Sequence, residues 1–481
     1  MVYWPLPGSW FWADDFVCML SIVNDGFLRC VLRPFGGHNL LVRNLVFYVF
    51  WQLFGLHAAP YFWAMLLTHL LNVWLLFRVL QGLTASAMLA CVGATLWGTS
   101  PIAAGVLAWY AVFGHALVAT FLLVVLNRLV PLARSGAPVP TGTAWSWFVI
   151  LLLGSVTFGV GIGVALAFPV VLFVMVPAAW RQPRVRAAYL ALPLVTLALY
   201  VAYRRLYPVF IEPLSPEELN DQPAGLDALP RTLAGVAALV GYSASEYTRS
   251  FFWAVRAYPD RATQVVIGIL AAGLGLLCWR GSVATRRTAV AMVSLCLGVY
   301  LVIALGRIGF LGANLITLAA QHRYHYVGAI PIVILVCLAV QEVGRIGWLA
   351  RIPRMPLLLA ALALWAWGFM RSTVRVDLHA GPKRVVDTAL SGIDAEVSRS
   401  PAGATVYLES GANSQTMLGF VMRDVDFPGR AAIFLLAHHD DRVDGRTVRF
   451  VIRDPQILAH YRQRPESPLA RLMVSPQEAG R

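Results

Sequence analysis

Residues 58–80 have the sequence AAPYFWAMLLTHLLNVWLLFRVL, an apolar run in which Arg78 is the one charged residue. A run of about 20 apolar residues is long enough to cross a bilayer as a helix. The whole chain has this character, because 59% of its 481 residues are hydrophobic and 13% are charged, whereas about 25% of the residues in a soluble domain are charged. The composition predicts an α-helical polytopic membrane protein.

Further apolar runs follow along the chain, and together they predict about ten transmembrane helices. The predicted spans are residues 58–80, 85–101, 105–127, 145–159, 162–180, 187–207, 262–279, 288–306, 326–342 and 356–371. The fourth and fifth are short for two crossings, and their turn is predicted at Gly159–Gly163, on three glycines.

Basic residues predict the orientation of these spans, since Lys and Arg in short loops stay in the cytosol. Alternate loops contain arginine clusters, and Glu342 is the one acid of 24 on their side. The clusters are Arg78; Arg128 and Arg134; Arg181, Arg184 and Arg186; Arg280, Arg286 and Arg287; and Arg345, Arg351 and Arg354. This arrangement accounts for the net charge of +14, so no nucleic-acid partner is predicted. An apolar helix from Arg231 to about Ser243 is expected to stay on the outer face or to re-enter the membrane.

Composition divides the chain into three parts. Residues 1–57 form an aromatic outer-face segment with an interfacial helix at 39–54, residues 58–371 form the transmembrane core, and residues 372–481 form a small α/β domain outside the membrane. In that last domain, alternating patterns predict strands at 404–409, 431–436 and 447–452, and a helix at 384–399.

The adjacent carboxylates Asp14 and Asp15 stand before the first span, among the aromatic residues Trp10, Phe11 and Phe16. Aromatic residues of this kind gather where a membrane meets water. A carboxylate in such a half-dry position has a raised pKa and can act as a general base, and the pair could also hold a divalent metal. The alternative is a helix cap, for which Asp is a favoured residue.

Several motifs follow the acid pair in order: Leu32-Arg33-Pro34-Phe35, the interfacial helix, residues 54–62 (FGLHAAPYF), and His69 with Asn72 inside 68–76 (THLLNVWLL). This order resembles the GT-C family of polyprenyl-phosphate-sugar glycosyltransferases, especially the branch with protein O-mannosyltransferases and their bacterial relatives. The resemblance covers residues 10–130 best. Residues 245–260 and the motif Arg323-Tyr324-His325-Tyr326 are similar to later outer-loop elements of the family.

The resemblance implies roles for individual residues. Asp14 or Asp15 would be the catalytic residue, and the motifs do not choose between them. Arg33 and Arg323 would bind the phosphate of the lipid carrier, because a guanidinium offers two parallel donors to phosphate oxygens. The alternative for Arg33 is a cation that snorkels to the interface. The remaining candidates, which would line the site, are His69, Asn72, His322 and Tyr324; His69 and Asn72, one turn apart, could instead bond to a neighbouring helix.

The implied function is inverting transfer of one sugar, hexose or pentose, from a polyprenyl phosphate to an acceptor hydroxyl of a glycan, lipid or protein. The site and the C-terminal domain would lie on the outer, periplasmic face of a bacterial inner membrane. Transfer of a single sugar is favoured because the chain has no WWD-type signature of oligosaccharyltransferases. The chain departs from the family in two further respects: it has no tetratricopeptide array, and it has no acid near Gly159–Gly163, where the family often has one. The alternatives are an O-antigen ligase or polymerase and a transporter of polyprenyl-linked glycans.

Two further expectations concern the first 57 residues. An acid pair outside the membrane has no preceding span in this sequence to carry it there. Either the short aromatic start is translocated after synthesis, or the start codon lies upstream of Met1 and a further span precedes the pair; we favour the second. Cys18 and Cys30 face the same compartment and could pair, whereas the other cysteines lie in apolar spans.

Overall fold

The computed structural model describes residues 3–11, 14–211, 229–249, 261–307, 315–345, 391–409, 441–453, 455–462 and 468–480, with the single positions 363 and 366. These residues are mostly helical. The helices up to residue 345 are α1 (Asp14–Leu32), α2 (Leu41–Phe54), α3 (Ala58–Thr84), α4 (Ala87–Thr99), α5 (Pro101–Leu107), α6 (Gly114–Ser135), α7 (Thr141–Ser155), α8 (Gly159–Met175), α9 (Pro177–Trp180), α10 (Pro183–Phe210), α11 (Leu229–Arg249), α12 (Arg261–Arg280), α13 (Val283–Arg307), α14 (Leu315–Ala319) and α15 (His325–Val343). Three short 3₁₀ turns accompany them, at Leu6–Gly8, Tyr110–Val112 and His322–Tyr324.

Among the described residues, five helices are long and apolar enough to cross a membrane, and the bent pair α4 and α5, which meet at 52°, makes a sixth. The five are α3, α6, α10, α13 and α15, some with a few preceding residues. This confirms the helical character that the composition predicts, with several helices apolar enough to span a membrane. The predicted total of ten is larger: α7, α8 and the apolar part of α12 are shorter helices, and the span at 356–371 lies outside the described residues apart from two positions.

Hydrogen bonds between helices show that α3, α6 and α15 run in the same direction. They join His69 to Tyr326, Thr120 to Asn72, Gln341 to Thr84 and Arg134 to Gly82. The helix α4 runs the opposite way, since Gly98 near its end accepts a hydrogen bond from His69 in the first half of α3. The three parallel helices therefore begin at one end of the bundle. We call it the Asp14 end, because Asp15 accepts a hydrogen bond from Ala111, just before α6.

The opposite end collects the arginines of the predicted cytosolic loops, and we call it the arginine end. Arg134 is in the last turn of α6 and Arg345 follows α15. Helix α13 ends at Arg307, which contacts His38 at the Asp14 end, so its start, with Arg286, lies at the arginine end. Arginines in the short loops at one end of a bundle are the pattern that the positive-inside rule describes.

The glycines of the predicted turn at Gly159–Gly163 lie inside helix α8 instead. The break between α7 and α8 falls at residues 156–158. These glycines allow close packing: a Cβ on Gly161 would come within 1.9 Å of the Gly154 carbonyl oxygen, and a Cβ on Gly163 within 2.5 Å of the Gly298 carbonyl oxygen. The glycine pattern that resembled a turn is a helix-packing surface, for which small residues are favoured in membranes.

Two helices lie at the sides of the bundle. The interfacial helix predicted at 39–54 corresponds to α2, which exposes Leu45, Val49 and Leu53 while Phe47 is buried. The predicted helix at 231–243 lies within α11, which is not among the helices that satisfy the length and hydropathy criteria for a span.

The described part of the C-terminal region forms a small sheet. Its strands are β1 (Thr405–Glu409), β2 (Arg442–Val443), β3 (Arg446–Val451) and β4 (Met473–Val474), with helices at 391–399, Pro455–Arg462, Pro468–Leu472 and Pro476–Ala479. The central strand β3 is parallel to β1 and β4 and antiparallel to β2. Two of the predicted strands thus match β1 and β3 within one residue, while the predicted strand at 431–436 lies outside the described residues.

Candidate functional site

The two carboxylates at the start of α1 have different surroundings. Asp15 is fully buried, and its carboxylate accepts a hydrogen bond from the backbone N–H of Ala111. Asp14 is half-buried and faces the charged part of the Asp14 end. Asp15 therefore joins α1 to the segment before α6, and Asp14 lies within electrostatic reach of cationic side chains.

Burial raises the pKa of Asp14 above its ordinary value, while the guanidinium groups of Arg323, Arg43 and Arg307 act in the opposite direction. Desolvation disfavours the charged carboxylate, and nearby positive charges favour it. A carboxylate with a raised pKa binds a proton more tightly and is a better general base than an exposed one. Perturbed groups of this kind concentrate at functional sites.

Arg43 is a buried cation on α2, with 3% of its side chain exposed. It donates a hydrogen bond of 2.7 Å to the Cys18 sulfur on α1. Its Nε has no hydrogen-bond partner among the residues that the structure describes. A buried guanidinium with an unused donor is costly unless an anion completes its environment.

Aromatic rings hold the other two arginines in place. The Arg323 guanidinium lies 4.9 Å from the Trp109 ring centroid and 5.0 Å from that of Tyr324, and Arg307 lies 6.0 Å from the same tyrosine ring. Cations are attracted to the faces of aromatic rings at these distances. Gly105 on α5 allows the backbone of residues 322 and 323 to pack closely against that helix, since a Cβ at Gly105 would come within 2.8 Å of the Arg323 backbone nitrogen.

His38 is placed by a tight turn. Phe35 and His38 exchange two backbone hydrogen bonds across Gly36 and Gly37, both of which have positive φ, the geometry for which Gly-Gly turns are suited. The turn directs the His38 ring to Arg307, which donates a hydrogen bond to its Nε2. Burial and the Arg307 charge hold the pKa of His38 well below its ordinary value, so the ring is neutral and can accept this bond.

His115 follows at the start of α6 and is fully buried. Its ring centroid lies 4.3 Å from that of Phe158, and the ring is within electrostatic reach of Arg323 and Arg307. Neither ring nitrogen has a hydrogen-bond partner among the described residues. The electrostatic interactions thus group Asp14, Arg43, Arg307, Arg323, His38 and His115 at the Asp14 end.

Comparison of the chain with family models, curated proteins and solved structures finds no match.

Of the two arginines predicted to bind phosphate, Arg323 belongs to this cluster, whereas Arg33 has a different position. Arg33 forms an ion pair with the buried Asp25 and a hydrogen bond of 3.3 Å to Ser21. It also lines a small, open cleft between α1 and α2, to which Arg43 contributes. The ion pair gives the Arg33 charge a partner within the protein.

The predicted site-lining residues lie at helix contacts. His69 bonds through both nitrogens to Tyr326 and Gly98, and Asn72 bonds to Ala116 and Thr120. Their polar atoms thus join α3 to its neighbours, which was the alternative to lining the site. His322 and Tyr324 lie on either side of Arg323: the His322 ring contacts the Tyr242 hydroxyl at 3.2 Å, and Tyr324 packs beneath the guanidinium groups.

The remaining predictions concern cysteines and metal. Cys18 and Cys30 are both free thiols, and Cys18 contacts Arg43 rather than a second sulfur. Within the described ranges, there is no group of three or more His, Cys, Asp or Glu side chains arranged to hold a metal ion.

The sequence-based reasoning missed Arg43, Arg307, His38 and His115. A usable signal exists for two of them. Arg43 interrupts the apolar face of an interfacial helix, and His115 is a polar residue in the apolar run 105–127. Polar residues in such positions are functional or paired more often than not.

Proposed function

We propose that the chain is a membrane glycosyltransferase that transfers one sugar from a polyprenyl phosphate to an acceptor hydroxyl. The observation that carries the proposal is the half-buried Asp14, whose pKa burial raises, within electrostatic reach of the guanidinium groups of Arg43, Arg307 and Arg323. A base next to an anion site is the combination that this reaction needs. The apolar bundle beside it suits a lipid carrier.

In the proposed reaction the acceptor hydroxyl attacks the anomeric carbon of the donor, and Asp14 takes the hydroxyl proton. The bond between the anomeric carbon and the phosphate oxygen breaks with inversion, and its electron pair leaves with the lipid phosphate. The phosphate gains one negative charge as the bond breaks. Guanidinium groups fixed in advance stabilise that charge more in the transition state than in the bound donor, and this difference accelerates the reaction.

The proposed orientation places the Asp14 end outside and the arginine end in the cytosol of a bacterial inner membrane. The segregation of arginine supports it through the positive-inside rule. The donor would then enter from the outer leaflet, and the C-terminal domain would lie in the periplasm. The sugar and the acceptor are left open by this proposal.

The decisive experiment uses the full chain in lipid nanodiscs, radiolabelled polyprenyl-phosphate sugars and a panel of hydroxyl acceptors. Asp14→Asn removes the base and should lower transfer by about 10²- to 10⁴-fold. Glu396→Gln, an exposed acid in the C-terminal region, is the control and should leave transfer unchanged. Full activity of Asp14→Asn would refute the catalytic role.

The phosphate role has its own test. Arg323→Ala should weaken binding of the lipid-phosphate donor by about 10- to 100-fold, the range for a lost hydrogen bond to a charged group. Arg128→Ala, an exposed arginine at the arginine end, provides the matched control. Equal donor affinity in the two variants would contradict the assignment.

A second candidate is a ligase that takes a glycan from a lipid diphosphate. The presence of His115 beside two arginines favours it, since such chemistry depends on basic residues more than on an acid pair. The same assay separates the two candidates. A ligase would accept only diphosphate-linked donors and would retain activity in Asp14→Asn.

A further inference from the structure

The connection between α5 and α6, residues 108–113, and the first turn of α6 contain an unusual set of buried polar atoms. The Trp109 Nε1, the Tyr110 hydroxyl and both nitrogens of His115 have no hydrogen-bond partner among the described residues. Tyr110 and His115 are fully buried. Buried polar groups are nearly always hydrogen-bonded, so each one that lacks a partner requires an explanation.

These atoms lie between the charged groups of the proposed site. The Tyr110 hydroxyl is within electrostatic reach of Asp15 and Arg43, and His115 is within reach of Arg323 and Arg307. The Asp15 carboxylate holds the connection through the Ala111 N–H. The Tyr110 hydroxyl is thus within reach of charged groups at the start of the chain, and His115 is within reach of the two late arginines.

Their chemistry differs from that of the arginines. An indole nitrogen donates, a phenol both donates and accepts, and an imidazole has one donor and one acceptor nitrogen when neutral. Neutral groups that both donate and accept match sugar hydroxyls, which do the same, whereas a phosphate only accepts and is matched by guanidinium. The Trp109 ring supplies an aromatic face beside them, and Arg323 lies over that ring.

We infer that Trp109, Tyr110 and His115 bind the hydroxyl groups of the donor sugar, while Arg307 and Arg323 bind its phosphate. This inference rests on the proposed function.

The test compares the binding of two ligands to the full chain in nanodiscs: polyprenyl phosphate alone, and polyprenyl-phosphate sugars carrying mannose, glucose or arabinose. Tyr110→Phe removes one hydroxyl and keeps the ring. It should weaken binding of the preferred sugar-bearing lipid by about 3- to 10-fold, as for one neutral hydrogen bond, and leave binding of polyprenyl phosphate unchanged. His115→Ala should act in the same direction, and Arg323→Ala should weaken both ligands.

Matched controls are available nearby. Tyr61 packs 4.9 Å from the Tyr110 ring, but its hydroxyl donates to the Gly55 carbonyl, so Tyr61→Phe should not change sugar selectivity. His57→Ala removes an exposed histidine at the same end and should likewise leave both affinities unchanged.

The outcomes separate this inference from the proposed function. If Tyr110→Phe and His115→Ala bind both lipids as the wild type does, or lose affinity for both equally, the sugar assignment is overturned and the glycosyltransferase proposal stands. If the wild type binds neither lipid, the proposed function fails and the sugar assignment fails with it.

Discussion

Asp14 and Asp15 are the same residue type at adjacent positions, and their surroundings give them different tasks. Consecutive residues of an α-helix point about 100° apart, so the two side chains face different neighbours. Asp15 faces the backbone of Ala111, and Asp14 faces the guanidinium groups. The sequence motif predicted a functional pair, while the division of roles depends on what the rest of the chain brings to each side.

The raised pKa of Asp14 predicts the acid side of the pH profile. Asp14 must be ionised to accept a proton, so kcat/KM for transfer should fall with decreasing pH at a higher pH than for an ordinary aspartate, whose pKa is about 3.9. The measurement is the pH dependence of kcat/KM with saturating acceptor. Asp14→Glu, which keeps a carboxylate, should retain an acid limb; a wild-type limb at or below the ordinary value would contradict the prediction.

The raised pKa of Asp14 also determines whether this residue stabilises or destabilises the fold as the pH changes. Since the pKa of Asp14 is raised in the folded state, its contribution to stability is present below the unfolded pKa and is lost as the pH rises through the folded pKa. The ionised form of Asp14 therefore opposes folding relative to the protonated form. Thermal unfolding in nanodiscs at pH 7 should show that Asp14→Asn unfolds at the same temperature as the wild type or at a higher one. A lower unfolding temperature would count against the buried environment that raises the pKa of Asp14.

For Asp15 the expected result is opposite. Asp15→Ala leaves the buried Ala111 N–H without its acceptor, and a buried group left unpaired costs about 1–3 kcal/mol. We expect a lower unfolding temperature than that of Asp14→Ala, which serves as the control. Equal unfolding temperatures would show that the Asp15 hydrogen bond contributes little.

At the scale of elements, glycines make close packing between α8 and α13 possible. The Cβ of any larger residue at Gly163 would meet the backbone at Gly298 on α13. Gly163→Val should destabilise the fold by about 1–3 kcal/mol through overpacking. Gly268→Ala on α12, where a Cβ meets nothing within 4 Å, should change stability by no more than about 1 kcal/mol; unfolding of both variants under one condition checks the difference.

Individual elements were predictable to different degrees for physical reasons. Residues 58–80 are apolar throughout, and the helix α3 is where the hydropathy predicts it. The turn between α7 and α8 was misplaced, because glycine permits a turn and also permits close helix packing, and the local sequence does not distinguish these. The sequence predicted Asp14 and Arg323 as site residues. It did not predict Arg307 and His38 as such, because their contact joins residues far apart in sequence.

At the scale of the whole molecule, the arrangement of charge predicts the orientation in the membrane. The arginine end should be cytosolic. An epitope inserted after Gly136, between α6 and α7, should be inaccessible to antibody in intact spheroplasts, whereas one inserted after Gly55, between α2 and α3, should be accessible. The reverse labelling pattern would overturn both the orientation and the proposed location of the site.

The hydrogen bond from Ala111 to Asp15 spans 96 positions of the chain, and this has a consequence for biogenesis. During synthesis α1 is made before the α5–α6 connection, so the Ala111 N–H reaches the Asp15 carboxylate only once that connection has been made. Arg307 and Arg323, on the cationic side of the same site, are made later still. A chain truncated before residue 307 therefore lacks two of the guanidinium groups of the proposed site.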